Sequence, residues 1–192
     1  MTPPDAKKIP KELTIHGHTR VDNYYWLNDR ENPEVIQYLE AENAYTKAAL
    51  KPTEKLQEDL FQEMKSRIKE TDESVPYEKN GYYYYSRYEE GKEYPIYCRK
   101  KGTLDANEEI MLNVNEMAEG YEFYQVRGLS ISPNNKLLAF GLDTVSRRMY
   151  TIHIKNLETG EIYKDELPIT TGSTVWANDN KTMFSAKKDD TT

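Results

Sequence analysis

Serine, histidine and cysteine are where hydrolytic chemistry would have to begin in this chain, and their spacing argues against it. A serine nucleophile in an α/β-hydrolase needs a sharp strand–turn–helix elbow, usually Gly-x-Ser-x-Gly, which lifts the hydroxyl clear of the backbone beside an oxyanion hole. Gly128-Leu129-Ser130-Ile131-Ser132 lacks the second glycine and lies in a strand-like alternation, and Gly172-Ser173 runs into Thr174-Val175-Trp176 in the same manner. The three histidines, His16, His18 and His153, then have no such hydroxyl to serve. No catalytic residue is expected among these positions.

The remaining candidates are polar pairs and one thiol. His16-Gly17-His18 brings two imidazoles close in sequence, but a third ligand at useful spacing is missing, so neither a metal site nor a cofactor is expected. On an extended segment the two rings would project alike, whereas Gly17 equally allows a turn; Arg20 and Asp22 can tie the segment down. Arg147-Arg148 sits between two strand patterns, where rigid guanidinium forks suit a carboxylate of a peptide or of another domain. The plainer reading of that pair is a solvated loop. Cys98 lies in a Tyr-rich strand pattern and reads as a buried, inert thiol; Arg99, Lys100 and Lys101 are the neighbours that would lower its pKa.

Two kinds of element must hold these residues. Val35, Tyr38, Leu39, Glu42, Tyr45 and Ala49 recur at helical spacing over 34–50, opened by Asn32 as N-cap and Pro33 at the first helical position. Leu56, Leu60, Met64 and Ile68 repeat every four residues after Pro52-Thr53, with Thr53 as a cap, which predicts a second helix packed antiparallel to the first. Beyond the polar stretch Lys69 to Pro76 the period becomes alternating. Tyr82 to Tyr88 and Tyr94 to Lys100 flank Glu89-Glu90-Gly91-Lys92-Glu93 as a hairpin, with Tyr82 and Tyr84 on one face, Tyr83 and Tyr85 on the other, and a neighbouring sheet expected over each. Further strands are predicted at Ile110–Val114, Phe123–Ser130, Leu137–Leu142, Tyr150–Asn156, Glu161–Lys164, Val175–Ala177 and Thr182–Ala186.

A faint repeat orders those strands. Ser132-Pro133-Asn134-Asn135 precedes Leu137–Phe140 much as Trp176-Ala177-Asn178-Asp179 precedes Lys181–Phe184, an offset of 44 residues (184 − 140). That period fits one four-stranded blade of a β-propeller, roughly 40–50 residues. The fold class is therefore α+β: an N-terminal helical extension followed by the first blades of a propeller. One or two blades cannot close a ring, so at least one Tyr-rich face is left for water or another chain. The last residues, Lys187-Lys188-Asp189-Asp190 and two threonines, follow a strand pattern with no cap, which reads as a fragment of a longer chain with an exposed, charge-mixed turn.

Composition narrows the partners. The 192 residues are 37% hydrophobic and 31% charged, with mean hydropathy −0.91, enough for a core but polar for the length. Sixteen tyrosines against four phenylalanines favour half-buried strand surfaces, where the ring packs and the hydroxyl stays wet. A net charge of −7 and pI near 5.2 give the wrong field for nucleic acid. The acidic excess could draw cationic peptides or simply serve solubility. A single cysteine requires no oxidising compartment, and neither a secretory h-region nor an apolar run of membrane-spanning length is present, which makes cytoplasm the expected location.

Residues 16–39 (His16-Gly17, Arg20, Asp22, Tyr25-Trp26-Leu27, Asn32-Pro33, Tyr38-Leu39) and 67–102 (Arg67-Ile68-Lys69-Glu70 through Lys100-Lys101-Gly102) resemble the start of the oligopeptidase B group in the prolyl oligopeptidase family of serine peptidases. The resemblance continues through Asn80-Gly81-Tyr82, Met117-Ala118-Glu119-Gly120, Ser132-Pro133, Arg147-Arg148 and Gly172-Ser173 to Trp176-Ala177-Asn178-Asp179. It implies a parent with an α/β-hydrolase domain carrying Ser, Asp and His under a seven-bladed propeller, cleaving short peptides after Lys or Arg without a metal. By the same resemblance, residues 1–70 are an extension packing on the hydrolase domain, 71–80 an inter-domain hinge and 81–192 the first blades. The triad and the acidic specificity pocket would lie beyond residue 192, leaving this part to gate and dock. The rival expectation, from a different class, is a free-standing interaction module with a helical hairpin and a Tyr-rich sheet.

Overall fold

The short N-terminal hairpin follows from two residues that tolerate left-handed backbone. In the computed structural model, which describes residues 2–189, β1 (Lys11–Ile15) and β2 (His18–Asp22) pair antiparallel from Lys11↔Asp22 to Ile15↔His18. His16 (φ 51°) and Gly17 (φ 79°) close them as a two-residue turn of the primed kind, whose twist matches that of the strands. The His-Gly-His run is thus a turn rather than an extended segment. Lys11 lies 3.7 Å over the Tyr25 ring, and the Trp26 indole donates to the Lys7 carbonyl at 2.9 Å.

Asn32 caps α1 (Pro33–Leu50) as its sequence position predicts: its side-chain oxygen accepts from the Glu34 amide at 2.9 Å, and Pro33 occupies the first turn, where no amide proton is needed. The continuation differs from expectation. A single 3-10 turn, Lys51–Thr53, leads directly into α2 (Glu54–Ser66), and Leu50, Lys51, Thr53 and Glu54 all stay in the right-handed helical region. Two helices form, as predicted, but a tight helical turn rather than an irregular break joins them at Pro52. Thr53 takes the N-cap position of α2 as predicted, but its hydroxyl makes no capping bond; it donates back to the Leu50 carbonyl at 2.7 Å and accepts from Gln57. Leu56, Leu60, Phe61 and Met64 of α2 remain exposed.

The chain divides into two compact units, the first ending at Ile68 and the second beginning at Lys69. In the second, β3 (Tyr77–Lys79), β4 (Tyr82–Arg87), β5 (Ile96–Lys101) and β6 (Glu108–Asn113) form a four-stranded antiparallel meander in sequence order. A helical turn, α3 (Val114–Met117), leads on to β7 (Gln125–Ile131), β8 (Leu137–Asp143), β9 (Tyr150–Asn156), β10 (Leu167–Trp176) and β11 (Met183–Lys187), again neighbours in sequence order. β10 serves two blades. Leu167 and Thr170 pair with β9 (Thr170↔Tyr150), while Thr170 and Thr174 to Trp176 pair with β11 (Thr170↔Lys187, Thr174↔Ser185), with a register shift in each ladder. The predicted strand at Glu161–Lys164 reduces to one bridge, Lys155↔Ile162. The α+β class and the partial propeller hold: one blade, a second, and the opening strands of a third.

The core lies between the first two blades. Tyr84, Met111 and Leu112 of the first meet Ile131, Leu138 and Phe140 of the second, with Tyr82, Tyr97, Leu129 and Leu157 around them. Fully burying a side chain such as Leu138 or Phe140 contributes about 1.5–3 kcal/mol, so this face supplies much of the unit's stability. The opposite face of the first blade carries Tyr85, Ile96 and Cys98, all buried. Among the described residues no second sheet covers it, contrary to the expectation of one over each face; a charged lattice lies over it. Arg87 forks onto Glu108 at 3.0–3.2 Å, and the Tyr85 hydroxyl donates to the same carboxylate at 2.5 Å. The Arg87 guanidinium holds the Glu108 carboxyl below its usual range.

Candidate functional site

Arg147 and Arg148 stand on the loop from β8 to β9, and the loop's shape is imposed by one buried carboxylate. Asp143, 1% exposed at the end of β8, accepts the Val145 amide at 2.9 Å on Oδ1 and the Arg148 amide at 2.7 Å on Oδ2. Ser146 (φ 60°) and Arg148 (φ 55°) both take left-handed backbone, which costs about 1–2 kcal/mol each for a residue with a Cβ. The two charge-assisted bonds to Asp143 offset that strain. Lys188 donates to the Arg148 carbonyl from the third blade, pinning the loop's far side.

So built, the loop presents both arginines to solvent, and neither guanidinium has a hydrogen-bond or ion-pair partner among the described residues. Arg127 adds a third cation at the same end of the blade, its guanidinium 5.2 Å over the Tyr150 ring. The equivalent loop of the first blade, between β4 and β5, is acidic instead, with Glu89, Glu90 and Glu93. An exposed fork of unpaired guanidinium groups on a rigid base can grip a carboxylate in two-point fashion. It cannot by itself break a bond.

The opposite end of the blades is built from asparagines that carry no catalytic pattern in the sequence. Asn80, Asn135 and Asn180 close the first hairpin of three successive blades, and each has left-handed φ (50°, 60° and 60°). They also join the blades. The Asn135 amide donates to the Asn80 carbonyl at 2.9 Å, Asn80 donates to the Pro133 carbonyl at 3.2 Å, and the Asn134 backbone donates to the Asn180 side chain at 2.7 Å. Arg99, 4% exposed, crosses from the first blade to the Asn135 carbonyl at 2.7 Å while paired with Glu109. One signal does point to them: an Asn just before the second strand of each repeat. A cleft of about 360 Å³ opens here, lined by Lys79, Asn80, Ser130, Thr174 and Trp176 among others.

The other residues with chemical potential are placed apart. His16 and His18 lie exposed on the N-terminal hairpin, and among the described residues no group of three ligating side chains converges. His153 stacks on Phe140 at 5.6 Å with Glu166 at 3.6 Å; burial lowers its pKa and the carboxylate opposes that shift. Ser130 belongs to β7 and Ser173 to β10, both extended, and the Ser132 hydroxyl is spent on Asn134 and Leu137. Burial, with Glu108 nearby, pushes the Cys98 thiol up to about 12. Lys187 closes β11 and Lys188 is bound at Arg148, while Asp190 of the expected charged turn lies outside the described residues.

Residues 4–192 match the family model described as prolyl oligopeptidase, N-terminal beta-propeller domain. Among curated relatives, "Dipeptidyl aminopeptidase BI" of Pseudoxanthomonas mexicana is 41% identical over 98% of this chain, and "Protease 2" of Moraxella lacunata is 37% identical over 97%. The chain spans 28% of the length of each. Among solved structures, oligopeptidase B from Leishmania major superposes with a TM-score of 0.89 at 32% identity, over 98% of this chain and 29% of that one. Oligopeptidase B from Trypanosoma brucei, with covalently bound antipain in its closed form, gives 0.88 at 29% identity, over 98% and 29%.

Proposed function

This chain belongs to the prolyl oligopeptidase family through its N-terminal β-propeller domain, and on that premise we propose that it gates and docks for a serine oligopeptidase that cleaves short peptides after Lys or Arg. The catalytic serine, histidine and acid belong to an α/β-hydrolase portion of the same parent, and the chain itself turns over no peptide bond. The observation that carries the reading is the family match over residues 4–192, in a chain that amounts to 28% of its relatives' length. Serine chemistry there would proceed through an acyl-enzyme, with a histidine base and an oxyanion hole. No metal or cofactor enters the scheme, and cytoplasmic residence, with Cys98 reduced, is part of the same reading.

In this reading residues 1–70 pack on the hydrolase portion, 71–80 act as the hinge, and 81–192 begin the lid. The exposed apolar residues of α2 suit the first role, since Leu56, Leu60, Phe61 and Met64 lack cover within their own unit. Arg147 and Arg148 are assigned to contact with a carboxylate of the hydrolase portion or of the bound peptide. The family match supports this reading over the free-standing interaction module.

The test compares the parent and the 192-residue chain on Arg and Lys ester and amide substrates, with titration by a serine-directed inhibitor. Activity confined to the parent and abolished by the inhibitor supports the reading; inhibitor-titratable turnover by the purified chain overturns it. A second reading, release of dipeptides from free amino termini, is favoured by the 41% identity to a dipeptidyl aminopeptidase. Amino-terminally blocked Arg substrates separate the two, because only an endopeptidase accepts them.

A further inference from the structure

We infer that Asn80 is a site of spontaneous deamidation whose conversion loosens the seam between the first two blades. Asn80, Asn135 and Asn180 each close the first hairpin of a blade with left-handed φ (50°, 60° and 60°), so they form an internal comparison. Their C-terminal neighbours differ. Lys136 and Lys181 come after two of them, but Gly81 comes after Asn80. A Cβ on the neighbouring residue hinders attack by its amide nitrogen on the asparagine side chain; Gly81 has none, and nothing lies within 4 Å of where one would be. Asn80 and Gly81 are both exposed at the hairpin tip. The Gly81 carbonyl is held by the Gly102 amide at 2.9 Å, while its own amide donates to no partner among the described residues.

The chemistry balances with water and a general base from the buffer. The Gly81 nitrogen loses its proton to the base and forms a bond to the Asn80 Cγ. The Cγ–Nδ2 bond then breaks, and ammonia leaves carrying a proton from the medium. Water opens the resulting succinimide at either carbonyl, giving aspartate or isoaspartate. Among the described residues the Asn80 side-chain amide donates only to the Pro133 carbonyl, at 3.2 Å the long end of the usual range.

Either product damages the seam. Aspartate replaces the donor aimed at Pro133 with an anion, setting two acceptors against each other. Isoaspartate reroutes the main chain through the former side chain and turns the carbonyl that accepts from Asn135 into a free carboxylate. The backbone then no longer holds that acceptor in place for the Asn135 amide, which weakens one of the ties between the second blade and the first.

The experiment incubates the intact protein in mildly alkaline and mildly acidic buffer and digests it after glutamate, which releases residues 79–89 between Glu78 and Glu89. The expected result is a time-dependent gain of one amide-to-acid mass increment in that peptide, faster in alkali, with the segments holding Asn135 and Asn180 unchanged. Asn80→Gln, which forms the corresponding ring poorly, should lose the increment. Asn80→Asp, the product ready made, should lower the thermal midpoint and speed hydrogen exchange at Asn135. Absence of the increment at Asn80, or equal conversion at Asn135 and Asn180, overturns the site. Unchanged exchange at Asn135 in Asn80→Asp overturns its effect on the seam.

Discussion

Gly128 and Gly172 meet backbone against backbone where β10 leaves the second blade for the third: a Cβ built on Gly128 would lie 1.9 Å from the Gly172 carbonyl oxygen. Gly172 (φ 82°) in turn has room for no side chain, since its Cβ would sit 2.7 Å from the Tyr150 ring. Gly141 presses on the same spot, its own Cβ position 2.6 Å from the Gly172 Cα. The crossing strand thus passes over β7 and β8 at a separation that only glycine permits, and both β7 and β10 shift register there.

Substitution at that crossing should therefore cost far more than its exposure suggests. Gly128→Ala combines overpacking, about 1–3 kcal/mol, with a left-handed backbone penalty of about 1–2 kcal/mol. Gly160→Ala shares the positive φ (79°) but opens onto empty space, so it should lose only the backbone part. Denaturant unfolding of the two variants in the parent protein measures the difference. Equal losses would mean that the close approach is not maintained in solution.

The arginine loop depends on Asp143 in a way that separates shape from charge. Asp143→Asn keeps one acceptor but turns a donor toward either Val145 or Arg148, so at least one amide loses its partner, at about 1–3 kcal/mol. Faster hydrogen exchange at the Val145 and Arg148 amides is expected, and if Arg147 and Arg148 grip a carboxylate, a fall in parent kcat/KM as well. Arg147→Ala with Arg148→Ala should match the activity loss, about tenfold or more for one charge-assisted contact, with stability nearly unchanged. Full activity in the double variant would leave the pair as a solvated loop.

How far the residues alone reveal the structure depends on how local the cause is. Asn32-Pro33 and the Glu89–Glu93 loop are short-range signals, and both are legible. β10 is legible mainly at its end, because Pro168 and Gly172 are poor strand formers that long-range pairing with β9 and β11 keeps extended. A single proline correctly marks the boundary between two helices, but does not reveal that a 3-10 turn carries the chain straight from one into the other. Arg147 and Arg148 are visible as a pair, whereas Asp143, which shapes their loop, looks like an ordinary strand-end carboxylate. The asparagine seam stays hidden because its partners lie more than 40 residues apart.

Acid should act on the second blade through His153. Burial lowers its pKa below the ordinary imidazole value of 6.5, with Glu166 at 3.6 Å partly opposing. The unfolded chain then binds more protons than the folded one as pH falls through the ordinary imidazole range, so stability rises with pH there and is lost on acidification. His153→Gln should flatten the stability profile in that window while removing the stacking on Phe140, a roughly constant loss of about 0.5–1.5 kcal/mol. Thermal midpoints of both proteins across the window decide it; parallel profiles would show that another group carries the acid response.

Cys98 offers a reporter of the first blade's integrity. Its side chain is fully buried under the Arg87–Glu108–Tyr85 lattice, and burial pushes the thiol up to about 12, so the thiolate that reacts with disulfide reagents is almost absent near neutrality. Labelling should therefore wait for opening of the blade and track denaturant. Arg87→Ala removes the fork that shields this face and leaves the Glu108 carboxylate beside Tyr85 without its cation, which favours opening. Labelling of that variant should accelerate in native buffer, by about tenfold for each 1.4 kcal/mol lost, while its alkaline dependence persists. Rapid labelling of the unsubstituted protein at neutral pH would mean that the lattice does not close over the thiol.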